Sequence, residues 1–113
     1  MRKTALIFLL TFAFPTSSYA LTLSEWEHQG ADWKQAYVFA IMEAISSLAD
    51  SDSPHSMARA KGYRACFTEN KFNSESGTKL VGRYILMNPS SSSEAMIATV
   101  AKAMKEACGR YLP

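Results

Sequence analysis

Hydrophobic residues are arranged along this chain in two ways: one continuous run near the start, then a series of stripes at helical spacing. Residues 5–14 form a run that is apolar except for Thr11. Beyond them, apolar side chains return every three or four positions, the spacing of one face of an α-helix. The longest stripe (Trp33, Ala36, Tyr37, Ala40, Ile41, Ala44, Ile45 and Leu48) predicts a helix that Asp32 caps and that ends near Ala49. Before it, residues 23–26 begin a shorter helix with Gly30 as its stop. After it, residues 50–54, Asp-Ser-Asp-Ser-Pro, read as a loop.

The second half of the chain is less regular. Pro54 can open a helix at its first turn, and Met57, Ala60, Lys61 and Arg64 tolerate one, but Gly62 weakens it and residues 67–73 read as a polar turn. Asn73 or Ser74 then caps a helix carrying Leu80, Val81, Tyr84, Ile85 and Met87. Asn88-Pro89 ends it, because a residue before proline is pushed out of helical geometry. The serines at 90–93 read as a flexible link and a further N-cap. A last helix places Met96, Ile97, Val100, Ala101, Met104 and Cys108 on one stripe and stops at Gly109. No run alternates with period two, so the expected fold class is all-α, a small bundle of about four helices. Trp33, Tyr37 and Tyr84 are assigned to its core. Phe39 falls off the main face of its helix. With Val38 and Met42 it marks a second apolar face, either buried in the domain or turned to a partner or second copy of the chain.

The continuous run near the start has a different meaning. Arg2 and Lys3 precede it, Pro15 and residues 16–18 break it, and Ser18-Tyr19-Ala20 presents the small residues that signal peptidase reads. A run of ten residues, nine of them apolar, falls well short of the roughly 20 that a membrane-crossing helix needs. Residues 1–20 are therefore expected to be a signal peptide cleaved after Ala20. No cysteine follows the run, which excludes lipoprotein processing. The expected product is one helical domain, residues 21–113, exported to the periplasm, with no membrane attachment after cleavage.

Removing that segment changes the charge. The formal net charge of +2 comes from Arg2 and Lys3 alone, so the remainder is neutral. A neutral domain is a poor nucleic-acid ligand, since that affinity comes mostly from neutralising phosphates. The remaining charge is unevenly spread. Residues 21–53 hold six acids and one base, and residues 54–113 hold nine bases and four acids, a net of −5 followed by +5. Such a distribution either lets two faces of one domain attract each other or steers a charged protein partner.

Export also decides how the two cysteines read. Cys66 and Cys108 lie in a chain bound for an oxidising compartment, where an even count implies a disulfide. Closing a loop of that length is worth about 4 kcal/mol in the chain-entropy model. A zinc site lacks ligands, because His28 and His55 are the only histidines. No phosphate-cradling glycine loop and no acidic metal loop occurs, so no cofactor is expected. Ser76-Gly77-Thr78-Lys79 matches the Ser-x-x-Lys pattern of penicillin-recognising enzymes, but their further motifs and much larger fold are missing. Composition and motifs together point to a binding protein rather than an enzyme.

Several short motifs lie in a familiar order. They are Ala36-Tyr37-Val38-Phe39-Ala40, Cys66 opening a polar stretch, Arg83-Tyr84-Ile85 leading to Asn88-Pro89, and an alanine-rich helix closing on Cys108. This arrangement, over residues 33–108, resembles the small periplasmic immunity proteins of type VI secretion systems, the Rap/Tai group. The chain departs from that group in having Phe67-Thr68 where a proline follows the cysteine, and in lacking a further cysteine in the first long helix. The resemblance implies a helical inhibitor that binds a secreted peptidoglycan amidase effector and occludes its active site. Two loops are the expected contacts: Asp50, Ser51, Asp52, Ser53 and His55, and Asn88, Ser90, Ser91, Ser92 and Ser93. A periplasmic acid-stress chaperone, also small, helical and closed by one disulfide, is the competing expectation.

Overall fold

The computed structural model describes residues 21–47 and 53–113, and for Ser91 and Ser92 the backbone alone. The proposed signal segment and the loop residues Asp50, Ser51 and Asp52 lie outside the described residues. The described chain forms five α-helices: α1 (Leu23–Glu27), α2 (Ala31–Ser47), α3 (Pro54–Glu69), α4 (Ser74–Met87) and α5 (Met96–Ala107). Short 3-10 helices follow α4 (Pro89–Ser93) and α5 (Gly109–Tyr111), and no β-strand occurs among the described residues. The fold is all-α and closed by a Cys66–Cys108 disulfide with an S–S distance of 2.02 Å.

The helix starts follow local chemistry. Thr22 accepts the N–H of Glu25 at 3.1 Å while the Glu25 carboxylate accepts the N–H of Thr22 at 2.9 Å, a reciprocal capping box that opens α1. Ser53 caps α3, with Pro54 in its first turn. Asn73 and Ser76 form a second reciprocal box at α4. No serine caps α5. Its N-cap is Ala95, and the backbone of residues 21–23 takes over the role. Met96 N–H donates to the Leu21 carbonyl at 2.7 Å, and Leu23 N–H donates to the Glu94 carbonyl at 3.1 Å, around an isolated antiparallel bridge between Thr22 and Ala95. Orphan donors at a helix start are satisfied here by neighbouring chain instead of a side chain. The serines form part of the 3-10 helix Pro89–Ser93, not a flexible link.

One boundary and one glycine of α3 differ from the sequence expectation. Helix α3 continues three residues past Cys66 and absorbs Phe67 and Thr68, which were read as turn. It then closes in a Schellman arrangement. Lys71 N–H donates to the Thr68 carbonyl, Phe72 N–H donates to the Phe67 carbonyl, and Lys71 takes the left-handed conformation at φ 53°. The Phe67 and Phe72 rings meet edge to face at 5.9 Å across the turn, the apolar contact typical of this motif. Gly62 does not weaken α3. It lets the C-terminal 3-10 helix lie directly on it, since a Cβ there would sit 2.4 Å from the Tyr111 carbonyl oxygen. Tyr111 also donates its hydroxyl to Glu69 at 2.8 Å.

Helix α2 occupies the centre and packs against α3, α4 and α5. Its buried face is rotated from the predicted one. Val38, Ile41 and Met42 are buried, whereas Trp33 is 46% exposed and Ala36, Ala40 and Ala44 face outward. The assignment of Trp33 to the core is thus overturned. The physical reason is that α2 is apolar around most of its circumference, so periodicity alone selects no face. Burying Val, Ile and Met removes more surface from water than burying alanines. Val38 and Met42, read as a second face, form the main one, with Phe39 half-buried beside them. Tyr37 and Tyr84 pack partly buried against the core, and Trp33 stacks on Tyr37 at 5.2 Å. Gly77 of α4 allows close approach to α2, because a Cβ there would lie 2.5 Å from Met42 Sδ. On α5, Met96, Val100, Met104 and Cys108 are buried as predicted, and Ile97 is 52% exposed.

Candidate functional site

Ser53 and His55, the described residues of the first expected contact loop, and the second loop sit at opposite ends of α2. Arg64 of α3 donates to the Ser46 carbonyl at 2.6 Å, which places the 53–55 segment beyond the C-terminal end of α2. At the other end, the Trp26 indole donates to the Lys34 carbonyl at 3.3 Å and α1 packs on the Pro89–Ser93 helix. Seventeen helical residues span about 25 Å. The described residues of the two loops are not brought together. Ser53 is occupied as a cap, its hydroxyl accepting the Ser56 N–H at 3.2 Å, while His55 stands exposed in the first turn of α3. Asn88 caps α4 and its side-chain amide donates to the Tyr84 carbonyl at 2.8 Å. Ser90 and Ser93 are exposed on the 3-10 helix, and Ser91 and Ser92 lie between them in the same turn.

Sequence reasoning missed the most exposed apolar residues of the described chain. Leu86 and Met87, in the last turn of α4, are each 80% exposed. Met87 had been placed on the apolar face of its helix. The outer face of α4 instead carries Glu75, Lys79, Gly82, Arg83 and Leu86, because Gly77 and Val81 fix the opposite side against α2. One signal was available: Leu86 lies five residues after Val81 and one after Ile85, off the stripe those two define.

Around this face lies a cleft of about 550 Å³ lined by Phe72, Ser76, Lys79, Gly82, Arg83 and Leu86. Leu86 also walls a second cleft of about 390 Å³ that reaches Trp26 and Lys34. Lys79 pairs with Glu75 at 3.6 Å on the surface, and Arg83 makes no ion pair among the described residues. The Ser-x-x-Lys pattern is built into this helix in another way. The Ser76 hydroxyl accepts the Asn73 N–H at 2.9 Å and lies 3.1 Å from Asn73 Oδ1, while Lys79 turns to Glu75.

The Asn88–Ser93 end is held by Glu94. Its carboxylate accepts from the Thr99 hydroxyl at 3.2 Å and from the Lys102 ammonium. The Lys102 hydrogen bond holds the Glu94 carboxyl below its usual value, and the same bond raises Lys102. Phe39, Met42, Phe67 and Phe72 floor a further cleft of about 330 Å³ whose rim carries Glu43 and Arg64. Among the described residues, no three His, Cys, Asp or Glu side chains gather as metal ligands would, and both cysteines are in the disulfide.

Compared with known proteins, no family model matches the chain, and neither a curated protein nor a solved structure gives a match.

Proposed function

We propose that this protein is a periplasmic immunity-type inhibitor, which binds a secreted cell-wall-degrading effector, a peptidoglycan amidase, and occludes its active site. The motif order over residues 33–108 supplies the class. The observation that carries the reading is the knuckle formed by Leu86, Met87 and the Asn88-Pro89 turn, where two large apolar side chains are 80% exposed at a helix end. A small monomeric domain gains nothing in stability by presenting adjacent Leu and Met to water, and exposed apolar patches mark interaction sites. Hydrogen bonds from the Asn88 side chain to Tyr84 and from its backbone to Ile85, with the packing of the Pro89–Ser93 helix on α1 and α4, hold this knuckle in place before binding, so that little conformational entropy is lost on docking.

The test begins with the secreted protein encoded next to this gene. Sent to the periplasm of a test strain, it should lyse the cells, and co-export of the present protein should protect them. Leu86→Asp with Met87→Asp should abolish protection while leaving the helical circular-dichroism spectrum unchanged. A neighbour without wall-cleaving activity, or full protection by the double variant, would refute the reading.

A further inference from the structure

The knuckle has a chemical character beyond exposure, and it comes from the cleft beside it. Two cations, Lys79 and Arg83, stand on one wall of the 550 Å³ cleft, and no carboxylate lines it. Glu106 shares a neighbouring cleft with Arg83 without an ion pair to it among the described residues, and Glu75 is one helical turn from Lys79 in a pair open to solvent on both sides. Such a pairing holds its charge only loosely. Arg83 has no ion pair among the described residues, and its planar guanidinium is built to take a carboxylate in bidentate fashion. The floor is apolar, formed by the half-buried Phe72 ring and Leu86, with Gly82 leaving the wall flat: no atom lies within 4 Å of where its Cβ would be. A positively charged rim around an apolar recess selects its complement.

From this we infer that the outer face of α4 docks an acidic segment of the effector. An apolar side chain of that segment enters the Phe72–Leu86 cleft, and its flanking carboxylates meet Lys79 and Arg83. This rests on the reading of the protein as an inhibitor that binds a partner protein. A second copy of the chain is a poorer occupant. Its Asp32 and Trp33 would offer an acid beside an apolar ring, but Trp33 is already stacked on Tyr37. A contact between two different faces of one chain also repeats without closing.

Two measurements on the exported full chain test this. The first is an NMR titration with a short peptide of alternating glutamate and leucine around one phenylalanine, beside an analogue with every glutamate replaced by lysine. The acidic peptide should shift the resonances of Phe72, Ser76, Lys79, Gly82, Arg83 and Leu86, and the lysine analogue should not. Lys79→Gln with Arg83→Gln, both exposed and neutralising, should weaken binding at least about tenfold, and added salt should weaken the wild type similarly. Equal binding of both peptides, shifts confined to other surfaces, or an unchanged affinity for the double variant would overturn the inference. The second is a photo-crosslinking residue at position 86 in the native host. An adduct through an acidic segment of a wall-cleaving enzyme supports both the face and the inhibitor reading. An adduct through an acidic segment of a protein of another class supports the face and removes the amidase. Adducts only with a second copy of the chain, or with no protein, overturn the docking face.

Discussion

Gly62 and Gly82 are both helical glycines, yet replacing each with alanine should move stability in opposite directions. Alanine is favoured over glycine within a helix by about 1 kcal/mol. At Gly82 nothing lies within 4 Å of the new methyl group, so this gain stands. At Gly62 the methyl would sit 2.4 Å from the Tyr111 carbonyl oxygen and 3.3 Å from the Leu112 side chain. Ordinary contact begins near 3.4 Å, so a backbone carbonyl must retreat by about 1 Å. That carbonyl belongs to a segment fixed by the neighbouring disulfide at Cys108 and by the hydrogen bond from Tyr111 to Glu69. Overpacking costs about 1–3 kcal/mol, and a clash with a fixed backbone carbonyl belongs to the upper part of that range, about 2–3 kcal/mol, which leaves Gly62→Ala destabilised by about 1–2 kcal/mol after the propensity gain. For a domain of this size, thermal unfolding should show Gly62→Ala melting roughly 5–10 °C below wild type and Gly82→Ala a few degrees above it. A Gly62→Ala protein as stable as wild type would refute the claim that the C-terminal segment rests on this glycine.

Three further outcomes follow from the same structure. Cys66→Ala with Cys108→Ala should lose about 4 kcal/mol in urea unfolding, as should the reduced wild type, and a loss below about 1 kcal/mol would contradict a loop-closing role for the bridge. Lys71→Gly should raise stability by about 0.5–1 kcal/mol by calorimetry, since glycine adopts the left-handed C′ position without a Cβ penalty; a drop would mean that the Lys71 side chain contributes more than its backbone costs. Glu94 is held below its ordinary value of 4.5, first by the Lys102 hydrogen bond. A carboxyl depressed by folding contributes stability that is complete above its unfolded pKa and disappears as pH falls through the folded one. Glu94→Gln should therefore flatten the loss of stability below about pH 4.5 in urea midpoints taken across the acid range, and a variant as acid-sensitive as wild type would show that the pair contributes nothing.

The sequence made the helices and the bridge legible because both depend on local or chemical rules. Spacing of three and four residues located α2, α4 and α5. Asn73 and Pro54 marked helix starts, and two cysteines left one pairing. The reading failed where a residue's role depends on what lies across from it. Gly62 looked like a weakness and is a contact point with Tyr111, whose sequence position is remote. Phe67 and Thr68 looked like turn because their helix-ending signal, a lysine in the left-handed conformation, lacks the usual glycine. Of the candidate contact residues, chosen as polar connectors, Ser53 and Asn88 cap helices, and the exposed Leu86 and Met87 lie directly before Asn88.

By itself, then, the sequence determined an all-α chain with its apolar stripes and a cysteine pair, since hydrophobic period and thiol chemistry act along the chain. Only the tertiary structure decided which side of α2 is buried. That helix is apolar nearly all round, and the choice fell to Val38, Ile41 and Met42, the residues that remove most surface from water. The same packing turned α4 so that Gly77 meets Met42 and, in consequence, Lys79, Arg83 and Leu86 face outward. A surface of that kind arises from the rotation of one helix against another, and no local signal in the sequence encodes it.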